Sequence, residues 1–176
     1  MGTGYVLSCR RCGYKQEAWL GAGFCFPVAY QKIMETARSG RLGEELRTFL
    51  AEHPEGALNT STVLLKCGRC GVLKTAPSLS MYLPKRPEAQ PADGNWSAAF
   101  SGEGFPCVAP WELKENYTLS ARYHYRCHKC GSKMKSYNSK ALERLFSKYG
   151  MQEPVEELCC PDCEKALYFT DVLKWD

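Results

Sequence analysis

The sequence predicts an α+β fold of two β-hairpin units, each with a helical insertion. Three observations support this. Four C-x-x-C pairs are spread along the chain, and short stretches of alternating or β-branched residues typical of strands flank them. Helical periodicity replaces that alternation between the pairs. Residues 84–110 are rich in proline and glycine and divide the four pairs into two halves.

Eight of the eleven cysteines form these pairs. Two thiolates separated by two residues can bind one metal ion from a single tight turn, in which backbone N–H groups donate to the sulfurs. A glycine follows three of the pairs and supplies the positive φ that such a turn needs, whereas Glu164 follows the last pair. Two turns complete a tetrahedral site, so four turns predict two Zn²⁺ ions per chain. The predicted ligands are Cys9, Cys12, Cys67, Cys70, Cys127, Cys130, Cys160 and Cys163.

C-x-x-C-Gly turns on β-hairpins, completed by a second C-x-x-C pair, resemble the zinc-ribbon family. The opening Tyr5-x-Leu7-x-Cys9-x-x-Cys12-Gly13-Tyr14, with Gly21-x-Gly23-Phe24 after it, is similar to a group of small bacterial zinc-ribbon proteins without an assigned activity. The resemblance covers a few residues at each pair and about the first quarter of the chain. It implies two zinc β-ribbons with structural zinc and brings no activity with it.

Chain order assigns Cys9, Cys12, Cys67 and Cys70 to one ion and the last four ligands to the other; pairing between the halves is the alternative. Zinc ribbons of this kind have about 15–20 residues between their pairs. Here 54 residues separate Cys12 from Cys67 and 29 separate Cys130 from Cys160, an excess that the predicted helices account for. Cys159 is an alternative ligand to Cys160. Four cysteines leave no open position, which is typical of structural zinc and not of catalytic zinc.

The first half contains alternating stretches on both sides of the first pair, at residues 5–8 and 14–20. Two helices follow: one has Val28, Ile33 and Ala37 on one face, and the other has Leu42, Leu46, Phe49 and Leu50 and stops at His53-Pro54. A strand at 62–66 leads into Cys67, and a strand at 79–83 leaves this pair.

In the second half, residues 117–126 alternate and lead into Cys127, and residues 133–137 form the return strand. Asn138 or Ser139 caps a helix with an apolar face that ends at Gly150, and a final strand covers 166–169. Both halves thus show the same order of elements, and an internal duplication is our interpretation. The predicted division is 1–83 for the N-terminal ribbon, 84–110 for a linker or long loop, and 111–176 for the C-terminal ribbon.

Positive charge is concentrated in residues 122–148, where Glu143 is the one acidic residue. The simpler interpretation is a solvated helix face together with charges that neutralise the zinc thiolates. The interleaved tyrosines allow a second interpretation, a nucleic-acid surface with rings that stack on bases and cations that contact phosphates. The candidate nucleic-acid-binding residues are Arg122, Arg126, Lys129, Lys133, Lys135, Lys140, Arg144 and Lys148.

Composition limits the class of protein. The formal charge of +4 is too small to require a nucleic-acid partner, and no apolar run is long enough for a membrane span. Eleven cysteines without a visible export signal predict free or metal-bound thiolates in the reducing cytoplasm and not a disulfide framework. The Gly21/Gly23 and Gly102/Gly104 pairs match no phosphate-binding loop, so we predict no organic cofactor.

These observations predict a non-enzymatic zinc-binding protein, with structural zinc, that binds a protein or a nucleic acid. A thiol-based redox or metal-responsive switch is one alternative, because C-x-x-C thiols can have a lowered pKa. An enzyme whose site the sequence does not reveal is another. Cys25, Cys107 and Cys159 stay without an assigned role; for Cys25 a small buried apolar side chain and a nucleophile are both considered.

Overall fold

The computed structural model describes residues 2–23, 26–86 and 107–175. In these ranges the protein is mixed α+β, with four helices and three antiparallel sheets. The helices are Phe26–Arg38 (α1), Glu44–Glu52 (α2), Pro110–Asn116 (α3) and Ser139–Tyr149 (α4). The strands are Gly2–Ser8 (β1), Lys15–Leu20 (β2), Ala57–Leu58 (β3), Thr62–Cys67 (β4), Leu73–Pro77 (β5), Met81–Pro84 (β6), Tyr117–Ala121 (β7), Met134–Tyr137 (β8), Val155–Cys159 (β9) and Ala166–Trp175 (β10). No helix in the described ranges is long and apolar enough to cross a membrane.

The chain divides into two units that alternate along the sequence. The first, here called the cysteine unit, comprises Met1–Gly23, Thr62–Pro77 and His124–Asp176, and the second unit comprises Phe24–Ser61 and Ser78–Tyr123. The boundaries predicted at 83 and 111 do not coincide with these units. All four C-x-x-C pairs belong to the cysteine unit.

The cysteine unit contains two sheets and helix α4. One has the strand order β2-β1-β10-β9 and the other β5-β4-β8. Hydrogen bonds between Gly21 and Thr62, in both directions, join the end of β2 to the start of β4. Strand β4 is apolar on both faces: Leu64 packs into one core cluster, while Val63 and Leu65 pack into a second one. A strand covered on both faces therefore connects the two cores.

Helix α4 follows its sequence signals closely. The Asn138 side chain accepts a hydrogen bond from the Ala141 N–H at 2.9 Å, and Gly150 ends the helix at φ +62°. Phe146 packs against Tyr5 and Phe169, with ring centroids 5.6 and 5.4 Å away. Aromatic packing thus fixes this helix to the sheet that contains both β1 and β10.

The second unit contains α1, α2, α3 and the sheet β3-β6-β7. In α2, Leu46, Phe49 and Leu50 are buried as predicted. The predicted face of α1 is wrong in part, because its buried residues are Pro27, Tyr30, Met34 and Ala37 while Val28 is 51% exposed.

Two strand predictions are also wrong in part. The predicted strand 117–126 ends at Ala121, and only Arg126 pairs again, with Lys133. The strand that leaves the second pair is β5, because the predicted strand at 79–83 is β6 and belongs to the second unit. The helices of the first half thus lie in the second unit, whereas α4 lies in the cysteine unit. The internal duplication stays a prediction.

Candidate metal centres

The four C-x-x-C pairs adopt one common turn, which we call a knuckle. Knuckle 1 is Cys9–Gly13, knuckle 2 Cys67–Gly71, knuckle 3 Cys127–Gly131 and knuckle 4 Cys160–Glu164. In each, the first cysteine accepts a hydrogen bond from the N–H four residues later, at 2.8–3.1 Å, and donates its own N–H to the carbonyl five residues later, at 2.7–2.9 Å. The fifth residue has φ between +62° and +75° in all four knuckles. Glu164 therefore holds a conformation that costs an L-residue energy and that glycine adopts freely.

The knuckles combine into two groups of four sulfurs. Site A contains Cys9, Cys12, Cys160 and Cys163, and site B contains Cys67, Cys70, Cys127 and Cys130. Within each group all sulfur atoms lie within 4.8 Å of one another. Assignment by chain order is therefore wrong, and the alternative of pairing between the halves holds in a nested form: the outer knuckles share site A and the inner knuckles share site B.

Strand pairing explains this nesting. Strand β1 leads into knuckle 1 and pairs with β10, which leaves knuckle 4. Strand β4 leads into knuckle 2 and pairs with β8, which follows knuckle 3. Each site therefore lies where two hairpins adjoin through their strands.

The sulfur geometry fits a tetrahedral metal ion. The Sγ–Sγ distance is 3.4 Å for Cys9–Cys163 and for Cys12–Cys160, and the corresponding contacts in site B are 3.4 and 3.5 Å. A disulfide needs about 2.05 Å. Four sulfurs at about 2.3 Å from a central ion lie about 3.8 Å apart, inside the observed range. Each group could therefore hold one metal ion.

Backbone N–H donors and neighbouring thiols change the pKa values of the cysteines in site A. The hydrogen bond from the Cys12 N–H lowers the pKa of Cys9 to about 6. The Tyr14 N–H acts in the same direction on Cys12, but the Cys160 thiol and burial outweigh it and raise the pKa of Cys12 to about 12. Sulfurs this close cannot all carry charge without a cation, because each thiolate disfavours the next.

In site B, as in site A, the pKa of one thiol is lowered and the pKa of another is raised. Hydrogen bonds from the hydroxyl and the N–H of Ser132 lower the pKa of Cys130 to about 6. For Cys70 the Val72 N–H lowers the pKa, but burial and the Cys127 thiol outweigh it and raise the pKa to about 12. A divalent cation would displace the protons from the thiols whose pKa is raised.

Burial distinguishes the two cysteines of each pair. The first is buried in every knuckle, with an exposed fraction between 0 and 3%, and the second is half-buried or exposed. Each metal site would therefore lie at the rim of a core, with two sulfurs among apolar side chains and two toward solvent.

The remaining cysteines lie outside both groups. Cys160 and not its neighbour Cys159 contributes to site A. Cys107 belongs to the second unit, where burial raises the pKa of its thiol and disfavours a nucleophilic thiolate. Cys25 lies outside the described residues. His128 is exposed, and site B contains no histidine.

Knuckle 2 of site B touches knuckle 4 of site A. A Cβ atom on Gly71 would lie 3.4 Å from the Pro161 Cα and 3.6 Å from the Cys160 carbonyl oxygen. The Lys66 ammonium donates to the Glu157 carbonyl at 2.6 Å and adds a second link between the two sheets. The two sites are therefore neighbours in one unit and not centres of separate halves.

The eight basic residues of the predicted nucleic-acid surface are all exposed and are distributed over several elements. Arg122 belongs to the second unit. Arg126, Lys129, Lys133 and Lys135 lie on or beside knuckle 3, and Lys140, Arg144 and Lys148 lie on α4, with Lys148 3.2 Å from a carboxylate oxygen of Glu157.

Two of the tyrosines beside these charges already make contacts within the protein. The Tyr125 hydroxyl donates to the Pro77 carbonyl at 2.7 Å, and the Lys74 ammonium lies 5.1 Å from its ring centroid. Tyr137 is buried, and the Lys135 ammonium lies 4.9 Å from its ring centroid. Base stacking on these two rings, as the sequence suggested, therefore receives no support from their environment.

Comparison of the chain with protein-family models, with curated proteins and with solved structures finds no significant match. The resemblance to zinc ribbons consequently depends on the cysteine pairs and on the geometry of the two sites.

Proposed function

We propose that the protein is a non-enzymatic module in which two structural Zn²⁺ ions stabilise a pair of adjoining zinc ribbons that bind a protein or nucleic-acid partner in the cytoplasm. The observation that carries this proposal is the pair of four-sulfur groups with backbone N–H donors around them. Thiolate ligands in tetrahedral sets are typical of zinc or of iron. Four thiolates fill a tetrahedral shell and leave no position for a substrate, which favours a structural role.

Metal binding in such a module is part of folding. A structural zinc site contributes on the order of 10 kcal/mol, comparable to the stability of a whole domain. Cys9 and Cys160 belong to one core cluster, and Cys67 and Cys127 belong to the other. Loss of either ion would therefore open a core and not merely a surface turn.

Elemental analysis of protein purified without chelator or affinity metal tests the proposal. We expect two zinc ions per chain, no visible absorption from iron, and loss of the strand signal in circular dichroism when a strong chelator is added. Iron in place of zinc, or a fold that persists after complete metal removal, would contradict the proposal.

A matched pair of variants strengthens this test. Cys159 and Cys160 are adjacent in sequence, but only Cys160 belongs to site A. We expect Cys159→Ala to retain two zinc ions and Cys160→Ala to lose one. Equal zinc content in the two variants would exclude the assignment of Cys160.

A further inference from the structure

The two metal sites differ strongly in charge. The hairpins of site B, residues 62–77 and 124–137, contain seven lysines and arginines and no aspartate or glutamate. The segments that form site A, residues 2–23 and 150–175, contain five basic and seven acidic residues. A zinc ion with four thiolates carries a formal charge of about −2. The seven positive charges therefore leave the site B hairpins at about +5, whereas site A becomes more negative.

These cations exceed what the zinc thiolates need, and they are available. Five of the seven, Arg69, Arg126, Lys129, Lys133 and Lys135, are exposed. No carboxylate of the described residues forms an ion pair with any of the seven. Neutralisation of the metal site, the alternative that the sequence left open, thus accounts for only part of the charge.

Register places like charges directly opposite each other. Arg126 pairs with Lys133 across the knuckle 3 hairpin, and Lys66 pairs with Lys135 across β4 and β8. Like charges at directly opposed positions of a sheet destabilise it. Lys66 is half-buried and its ammonium donates to the Glu157 carbonyl, so the exposed pair Arg126–Lys133, with Lys135 two residues further along, is the part of this surface that is suited to an anion.

The apolar side chains indicate the class of partner. The large exposed apolar residues of the described ranges are Trp19, Val28, Trp111, Leu119 and Met151, and all of them lie outside the site B hairpins. Protein interfaces depend on buried aromatic or aliphatic anchors, and membrane-surface segments insert apolar side chains. A cationic surface without either fits a partner that is recognised through charge alone.

We propose that the site B hairpins bind nucleic acid through its phosphodiester backbone, without reading base sequence. Exposed lysines and arginines contact successive phosphates and release counterions, and the engaged rings of Tyr125 and Tyr137 leave the bases unstacked. This inference depends on the proposed function, because the two hairpins are held together at site B.

The test measures binding of the zinc-loaded full chain to fluorescent oligonucleotides of mixed sequence, single- and double-stranded, between 50 and about 300 mM salt. We expect log Kd to change linearly with log salt, with a slope of about 0.7–0.9 per phosphate contacted, and little dependence on base sequence. Absence of binding at 50 mM salt overturns the proposal. A preference for one sequence of more than about tenfold also overturns it, because base contacts then dominate.

Two triple variants locate the surface. The variant Lys129→Gln/Lys133→Gln/Lys135→Gln removes three exposed charges from the site B hairpins. The variant Lys15→Gln/Lys165→Gln/Lys174→Gln removes three exposed charges from the segments that form site A. Both variants change the net charge equally. We expect the first to weaken binding at least about tenfold and to lower the salt slope by about 2, and the second to bind like the parent protein. Equal losses in both variants overturn the proposal, because net charge and not location then controls binding.

Competition identifies the kind of anion. Polyglutamate and vesicles with one third phosphatidylserine are added as competitors at equal charge concentration. Displacement of the oligonucleotide by unlabelled nucleic acid alone supports the proposal, and equal displacement by polyglutamate or vesicles overturns it. Zinc content is measured on every sample, so that a failure of metal binding is distinguished from a failure of nucleic-acid binding.

Discussion

Replacing one cysteine in each of two knuckles tests whether those two knuckles bind the same metal ion. Cys12 and Cys163 belong to site A, whereas Cys70 belongs to site B. The variant Cys12→Ala/Cys163→Ala damages one site and should retain one zinc ion per chain. The variant Cys12→Ala/Cys70→Ala damages both sites and should retain none. Pairing by chain order predicts the reverse for these two variants.

The size of the effect follows from the ligand set. Loss of one thiolate of four removes roughly a quarter of a binding energy on the order of 10 kcal/mol, which weakens zinc binding about 100-fold. Cys12 is exposed and Cys163 is half-buried, so that their replacement disturbs little packing. The assay is zinc per chain by elemental analysis, after dialysis against a chelator whose affinity lies between those of intact and damaged sites.

Alkylation of the parent protein provides an independent readout. After removal of one zinc equivalent, cysteines are alkylated and located by peptide mass spectrometry. We expect labelling of Cys9 and Cys12 to rise together with labelling of Cys160 and Cys163. Joint labelling of Cys9 with Cys67, together with one remaining zinc in Cys12→Ala/Cys70→Ala, would refute the nested assignment.

Three further predictions concern stability, measured by chemical unfolding at a fixed free-zinc concentration. Glu164→Gly relieves a φ of +62° and should raise the free energy of unfolding by about 0.5–1 kcal/mol. Gly13→Glu, at the same knuckle position with φ +75° and open space around it, should lower the free energy of unfolding by about 1 kcal/mol. Effects of the same sign would contradict the conformational reason. Gly56→Ala places a Cβ 2.9 Å from a carbonyl oxygen and an aromatic ring and should cost about 1–3 kcal/mol, whereas Gly68→Ala meets nothing within 4 Å; similar costs would exclude crowding as the cause. Asn138→Ala removes the α4 cap and should cost about 1 kcal/mol, with Asn138→Ser as the control that retains most of it; an unchanged unfolding midpoint for the alanine variant would argue against the cap.

Local signals in the sequence predicted the knuckles and several helices well. The C-x-x-C spacing with glycine at the fifth position encodes a turn within a few residues, and all four turns have the same hydrogen bonds. The Asn138 cap and Gly150 similarly define both ends of α4. Features encoded within one turn of chain need no long-range information.

The pairing of knuckles was not predictable in this way, because it depends on strands far apart in sequence. Nothing local to Leu7 indicates that it pairs with Phe169. One signal did point away from chain order: the 54-residue separation between Cys12 and Cys67 is much longer than in zinc ribbons. Insertions explained that excess equally well, and only the sheets decide between the two explanations.

The charge pattern shows a related difficulty. A window over residues 122–148 combined Arg122 of the second unit with residues of α4 and of knuckle 3. It omitted Arg69 and Lys74, which come close to knuckle 3 only because β4 pairs with both β5 and β8. The charge of a sequence window therefore predicts the charge of a surface only when the sheet topology is known.

Nesting also sets an order in time for a chain made from its N-terminus. Site B becomes complete once Cys130 has left the ribosome, whereas Cys9 and Cys12 wait for Cys160 and Cys163. The loop from residue 13 to 159 costs about 0.8 kcal/mol more entropy to close than the loop from 71 to 126, and prior closure of the inner loop shortens the outer one. During synthesis the first C-x-x-C pair is thus the last to meet its partner pair, and a nascent chain that stalls before residue 160 leaves Cys9 and Cys12 without the cysteines that complete site A.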